Sequence, residues 1–449
     1  MKFRTLSKNI FFVYSTTTLK MAGGLMQLVA YGAQDVYLTG NPKVTFFQAV
    51  YRRHTNFAME TIEQTVNGTP ANSGRVSVTI ARNGDLVGDM YVELKAKGTV
   101  VPTSVVADGD ADDDNWAAER AIKDVELSIG GQRIDKHYQR WWRLYSELYL
   151  DESKKLTWGK MTTPSANGGK MYLPLIFFFN RNHGLALPLI SLQYHECRLD
   201  FDLSSEFSKY SDGTTFKVWA NYIYLDTEER RRFAQKGHEY LIEQVQHTGS
   251  DALAAVGSTK QIRLSYNHPV KELVFCADRG SVARSNLWNF TAAVDTVVSS
   301  NGAAGLQAGA TTLVAPSTCG APLLKLGSDA ADGSDVWTEE GHGPIDTFKL
   351  VLNGQDRMKE QDGKYFNQVQ PFQHHTGSPV PGVYTYSFAL KPEEHQPTGT
   401  CNFSRIDNAQ VAIKTADRGA TTPTNLNMFA VNYNVLRIQS GMGGLAFSN

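Results

Sequence analysis

The stretch "VELSIGGQRI" at 125–134 and the stretch "FKLVLNGQDR" at 348–357 carry one pattern written twice. Val125, Leu127 and Ile129 alternate with polar residues in the first, and Phe348, Leu350 and Leu352 do so in the second. A period of two gives a strand one apolar and one polar face. Each run ends in a pair that tolerates positive φ, Gly130-Gly131 and Asn353-Gly354, as a two-residue hairpin between right-twisted strands requires. Such a phrase recurs by chance in many β-rich chains, so further copies must decide. "IEQ" at 62–64 returns at 242–244, displaced by 180, and "YVELKA" at 91–96 finds "VKELVF" at 270–275, displaced by 179. The displacement rises to 223 at the hairpin phrase and falls to 209 between Pro188 and Pro397, in "LALPLISLQYHECRLDF" and "HQPTGTCNFSRIDNAQV". Ordered matches with shifting offsets are what two copies of one fold leave when their loops grow unequally.

The bulk numbers narrow the class. The 449 residues suggest two or three domains with large cores. Forty-four basic against 45 acidic residues give a net charge of -1, so no overall positive field would hold phosphate backbones, and no direct nucleic-acid partner is expected. Thirty-eight glycines and 11% aromatics suit short strands joined by turns, an all-β composition. Cys197, Cys276, Cys319 and Cys401 form no CxxC pair, which argues against zinc, gives little support to a disulfide framework and fits a reducing compartment. The longest apolar run, "LPLIFFF" at 173–179, is far short of the roughly 20 residues of a membrane span. The first 20 residues are basic and free of acids, with no convincing cleavage site after them; they read as an extension or a misassigned start ahead of Met21.

The step from 179 to 223, a gain of 44, places the main difference between the copies in the connection before the repeated strand. That connection spans 97–121 in copy one and 276–345 in copy two, and loops of such length inside compact domains are usually functional surface features. Between the copies lies "LDTEERRRFAQKGHEY" at 225–240, strongly charged, which sets the boundary near Phe233 and gives domains 21–232 and 233–449. In "KHYQRWWRLYSELYLD", Tyr138, Trp141, Trp142, Tyr145, Leu148 and Tyr149 recur at helical spacing and predict a core-facing helix. The reading is all-β: two consecutive eight-stranded antiparallel jelly-roll sandwiches with long loops and a few short helices.

Chemistry-bearing constellations are weak. Asp108, Asp110, Asp112 and Glu119 fall at positions 1, 3, 5 and 12 of a calcium loop, but Asp113 takes the place that needs Gly, and a solvated acidic loop explains the composition. "QYHEC" and "QHH" lack HxH or HExxH spacing, so His183, His195 and His374 read as hydrogen-bonded surface or interface residues. Neither GxSxG nor a phosphate-binding glycine loop is found. No catalytic, cofactor-binding or metal residues are therefore assigned, and no cofactor. The basic clusters "YRRH" (51–54) and "EERRR" (228–232) read as intersubunit or interdomain ion pairs. Of the Asn-x-Ser/Thr sites, Asn67 is followed by Pro70 and Asn402 lies in a strand pattern expected to be buried, which leaves Asn289 as the best glycosylation acceptor.

"GGLMQLVAYGAQDVYLTGNPKVTFFQAVYRRHTNF" (23–57) resembles the start of the major capsid protein of large nucleocytoplasmic DNA viruses, nearest its algal-virus branch. So do "GGQRIDKHY" (130–138), "LPLIFFFN" and "GLALPLISLQYHE" (173–196), "LDTEERRRFAQ" and "HEYLIEQ" (225–244), and "YSFALKPEEHQPTGTCNFSRIDNA" (386–409). "YNVLRIQSGMGGLAF" (433–447) is similar to that family's ending, so coverage runs from about Met21 to Asn449, with departures in the first 20 residues and the two long loops. The resemblance implies a double jelly roll that forms a homotrimer, a near-hexagonal capsomer of six rolls that tiles an icosahedral shell. It implies a structural protein rather than an enzyme, located in the virion and assembled in the host cytoplasm. Its partners would be neighbouring capsomers, minor capsid and vertex proteins, and host-surface glycans at the outer loops. Two rivals remain open: a glycan-active enzyme on paired jelly rolls, needing two facing carboxylates, and a carbohydrate-binding attachment protein, with Trp116 and Trp337 as exposed loop aromatics.

Overall fold

Eight principal strands, beside a few of two or three residues, build the first half of the repeat: β1 (Phe57–Gln64), β2 (Arg75–Thr79), β3 (Leu86–Ala96), β4 (Ile122–Ile129), β5 (Gln132–Tyr138), β6 (Lys170–Pro174), β7 (Cys197–Leu203) and β8 (Ser211–Leu225). Eight matching strands build the second: β9 (His238–Ala252), β10 (Thr259–Leu264), β11 (Pro269–Arg279), β12 (Ile345–Leu352), β13 (Gln355–Asp356), β14 (Val383–Ser387), β15 (Ala409–Thr415) and β16 (Pro423–Gln439). They come from a computed structural model that describes residues 23–97, 116–164, 168–279, 326–328, 335–337, 343–379, 382–415 and 423–447. The first half pairs as β1-β8-β3-β6 and β2-β7-β4-β5; the second as β9-β16-β11-β14 and β10-β15-β12-β13. Adding eight to every label of the first pair of sheets yields the second. This antiparallel order, with sequence neighbours on opposite sheets except at the β4-β5 and β12-β13 hairpins, makes two consecutive jelly rolls.

The quoted phrases occupy matching places. "VELSIGGQRI" is β4, turn and β5, with Ile129 opposite Gln132; "FKLVLNGQDR" is β12, turn and β13, with Leu352 opposite Gln355. All four turn residues have positive φ: Gly130 at 58°, Gly131 at 82°, Asn353 at 51° and Gly354 at 78°. "IEQ" falls on β1 and β9, and "YVELKA" and "VKELVF" on β3 and β11. Pairing verifies the offset independently: Glu63 lies opposite Trp219 in the first roll, and Glu243 opposite Tyr433 in the second.

Alternation builds each core. Val92, Leu94, Val125, Leu127, Phe201 and Val218 close the first sandwich. Leu273, Phe275, Phe348, Phe366, Tyr384 and Val411 close the second, where the Phe275 ring stacks on Phe348 with centroids 4.6 Å apart. The predicted aromatic helix is α1 (Gln139–Leu148), with Trp141, Trp142, Leu144 and Leu148 buried; α2 (Glu152–Thr162) follows, its first turn capped by Asp151, which accepts from Lys154 N at 2.8 Å. The charged linker is also helical, α3 (Thr227–Gln235), and Arg230 pairs with Asp85 of the first roll at 2.9 Å. A last strand, β17 (Met442–Leu445), extends β16 and reaches the first roll: Tyr194 N donates to Gly441 O at 3.0 Å, and His195 Nδ1 lies 2.8 Å from Gly443 O.

The chain divides after His54. In the shorter N-terminal unit, the described helices Gly23–Val29 and Asp35–Thr39 bury no residue.

Candidate assembly interface

With no catalytic or metal constellation expected from the sequence, the candidate site is a surface, defined by what each sheet face meets. The sheet β9-β16-β11-β14 is covered on both faces. Leu273, Phe275, Met428 and Ala430 point into the second roll's own core, whereas Val274, Cys276, Phe429 and Val431 belong to the apolar cluster of the first roll. The first roll covers that outer face with the end of β5 and with α1. The Tyr138 and Trp141 rings approach Phe429 with centroids 6.1 and 5.7 Å apart. Apolar burial of this kind, at about 25 cal/mol per Å2, binds the rolls far more firmly than surface ion pairs.

Charged groups are sealed into the same seam. Glu243 on β9 receives Arg181 Nη2 from the first roll at 2.7 Å and Lys271 Nζ from β11 at 2.7 Å. Burial alone would raise its carboxyl, yet the two cations hold it below the usual carboxylate range. Lys271 also donates to Pro392 O at 2.6 Å; burial lowers its ammonium to about 8 despite Glu243. Nearby, His375 Nε2 faces Glu272 Oε2 at 3.1 Å, an ion pair outside hydrogen-bond alignment, while Nδ1 donates to Glu393 Oε1 at 3.2 Å. Burial pushes this imidazole down, but the two carboxylates outweigh it and lift it to about 9. The Tyr149 ring meets His375 edge-on at 5.3 Å, and Lys155 Nζ donates to Ser378 O at 2.6 Å, so α1 and α2 grip the second roll through this cluster.

The corresponding face of the first roll, on β1-β8-β3-β6, has a different environment. Tyr91 stacks on Trp219 at 6.4 Å and meets Tyr172 edge-on at 5.9 Å, and all three rings are half-buried. Trp219 Nε1 donates to Glu93 at 2.9 Å, and Lys170 pairs with Glu93 at 2.8 Å. Glu63 pairs with Lys217 at 2.9 Å, with 43% of its side chain exposed. In the second roll, the helix α4 (Gln370–His374) and the loop after β14 leave Phe372 88% and Leu390 73% exposed.

Several expectations change. Trp116 is not an exposed loop aromatic: at φ 52° it turns inward to 9% exposure, under the Arg143 guanidinium at 4.2 Å. Asn402 is exposed rather than buried, because its two-residue strand ends in a turn where its Oδ1 accepts from Ser404 N at 3.0 Å. Glu119 lies wholly buried and accepts from Trp158 Nε1 at 2.6 Å, while Asp108, Asp110, Asp112 and Asp113 fall outside the described residues. Asn289, Cys319, residues 1–20, most of both long connections and the Trp337 side chain also fall outside them. His195 and His374 are hydrogen-bonded, the latter with Nδ1 3.0 Å from Leu390 O. Among the described residues no three His, Cys, Asp or Glu side chains are arranged to hold a metal, and no helix is long and apolar enough to cross a membrane. The seam residues Arg181, Glu243, Lys271, Glu272 and His375 were not marked by sequence reasoning; a Lys-Glu pair inside the apolar phrase "VKELVFCA" was the available signal.

Comparison with known proteins gives consistent matches. Residues 45–226 match the family model described as major capsid protein N-terminus, and residues 229–444 that of the large eukaryotic DNA virus major capsid protein. The major capsid protein of Paramecium bursaria Chlorella virus 1 is 45% identical, covering 96% of this chain and 100% of the relative. That of Phaeocystis pouchetii virus is 41% identical over the same shares. Among solved structures, a quasi-atomic model of the PBCV-1 virus capsid matches with a TM-score of 0.72 and 41% identity, over 90% of this chain and 100% of that one. The Faustovirus major capsid protein shares the fold at a TM-score of 0.64 and 14% identity, over 91% and 94% of the two chains.

Proposed function

The chain belongs to the major capsid proteins of large eukaryotic DNA viruses, and from that premise we propose how it builds a shell. It is a structural component of the virion capsid, and self-assembly is its function. The proposal is that three copies close into a capsomer of six jelly rolls, near-hexagonal in outline, which tiles an icosahedral surface. One observation carries this reading: the second roll repeats the first strand for strand. A threefold ring of a twofold-repeated chain presents six similar sides, and heterologous contacts that close at three copies are finite. The domains of this reading are 21–232 and 233–449, joined at α3, with residues 1–20 outside both.

Both long connections leave the third strand of a roll and enter the fourth, β3 to β4 and β11 to β12. With the rolls side by side, six such connections would crown one end of the trimer. That end is assigned outward, since lateral and inner surfaces must match neighbours while tips tolerate insertion. Host glycans and a modified Asn289 would be met there; minor capsid and vertex proteins would bind elsewhere on the capsomer, with assembly in the host cytoplasm. The relatives above are named as capsid proteins, which lends support to neither rival role.

Light scattering on purified protein is expected to give roughly 149 kDa, three times 49.7 kDa, with an interface above the roughly 2,000 Å2 of obligate assemblies. A stable monomer at micromolar concentration would contradict this. Limited proteolysis of intact particles is expected to cut within 299–340 first and leave capsids assembled; cleavage only after disassembly would reverse the outward assignment.

A further inference from the structure

The two rolls repeat strand for strand, yet their equivalent outer sheet faces are treated differently. In the second roll the face bearing Glu243, Val274, Phe429 and Val431 is covered by the first roll. In the first roll the equivalent face bears Glu63, Tyr91, Tyr172 and Trp219, and these three rings stay half-buried, with no comparable apolar cover among the described residues from Thr55 onward. The equivalence is strict in register, since Glu63–Trp219 and Glu243–Tyr433 are matching cross-strand pairs. The complementary asymmetry lies at the other end of the repeat. In the first roll, the helices after β5 and the segment after β6 bury their apolar residues, Phe178 among them, and Trp141 packs across the seam on Phe429. In the second roll, the corresponding α4 and the segment after β14 leave Phe372 and Leu390 exposed, with Lys391 beside them.

We infer that the Tyr91–Trp219–Tyr172 face of one copy receives the Phe372–Leu390 knob of a second copy, repeating between chains the packing that joins the two rolls within a chain. The inference rests on the trimer reading and deepens it by naming the two faces. Three features favour a second copy as the occupant. The covering mode already exists inside the chain, the exposed knob is the repeat equivalent of the covering elements, and each chain carries one face and one knob, so the contacts are heterologous and, in a trimer, close as a ring. Stacked tyrosine and tryptophan rings also suit a sugar platform, and the experiment separates the two occupants. Within the intrachain seam Arg181 reaches Glu243; at the interchain contact Lys391 beside the knob, paired with Glu394 within its own chain, would be the cation to meet Glu63, which pairs with Lys217.

The test uses two variants of the whole chain, Phe372→Asp with Leu390→Asp, and Trp219→Asp. Each removes one half of the contact and leaves the other intact. Thermal melts verify that each variant folds; both changes lie outside the roll cores. Each variant alone is expected to lose the trimer and run at 49.7 kDa, and their mixture to form a heterodimer of roughly 99 kDa, twice 49.7 kDa, through the one intact pairing. If wild type is a trimer but either folded variant remains trimeric, the face assignment is overturned while the trimer stands. Monomers that fail to pair on mixing overturn the proposed face-to-knob match. A monomeric wild type overturns the trimer reading beneath it. Retained trimers together with loss of binding to an oligosaccharide array in Trp219→Asp would make the face a sugar platform and overturn the inference.

Discussion

Glu243→Ala is expected to lower stability by about 3–5 kcal/mol, the cost of stripping one partner from a buried ion cluster. The substitution leaves Lys271, fully buried, with Pro392 O and no carboxylate, and leaves Arg181 without the acceptor that holds it across the seam. For rolls of this size each kcal/mol shifts the melting midpoint by about 2–4 °C, so a fall of about 10 °C is expected. Glu239→Ala, four residues earlier on the same strand, is the control. Its pair with Arg437 at 2.8 Å is more than half exposed, and exposed pairs contribute about 0–1 kcal/mol. Equal losses for the two variants would show that the seam charges do not join the rolls.

Stability is also expected to fall as pH rises from 6.5 toward 8. The sign follows from His375, whose folded pKa of about 9 exceeds its ordinary 6.5. The folded state binds the proton more tightly, so the stabilisation is complete below 6.5 and is lost as pH climbs through 9. The full shift corresponds to about 3 kcal/mol, of which about 2 disappears between pH 6.5 and 8. Lys271 acts in the opposite sense and in a later window. Its folded pKa of about 8 lies below 10.5, so deprotonation favours the folded state as pH rises from 8 to 10.5 and flattens the decline. His375→Gln should abolish the loss between 6.5 and 8. An unchanged slope in that variant would assign the pH dependence elsewhere.

The sequence made the fold legible because jelly-roll strands with one buried face announce themselves by alternation. Val125, Leu127 and Ile129 are buried as expected, and so are Phe348 and Leu350. The helical spacing of Trp141, Trp142 and Leu148 was equally informative, since a stripe facing a core has a period regardless of what it packs on. The linker at 225–240 read only as charged, and its helix is explained by good helix formers after Asp226 with acids in the first turn. The interface was hidden for a physical reason. Alternation reports that one face of a strand is polar, but not whether that face meets water or another roll. Lys271 and Glu272 look solvated on β11 until the first roll is placed over them. Trp116 misled because its neighbours at 108–115 are acidic and loop-like, whereas its own backbone turns the ring inward.

The central claim is that a twofold repeat within the chain becomes a sixfold outline in the assembly. Class averages of the purified protein from electron cryo-microscopy test it most directly. The account predicts particles with threefold symmetry and a near-hexagonal rim of six similar lobes, each one jelly roll. Two-lobed single chains, or rings whose symmetry is not threefold, would contradict it.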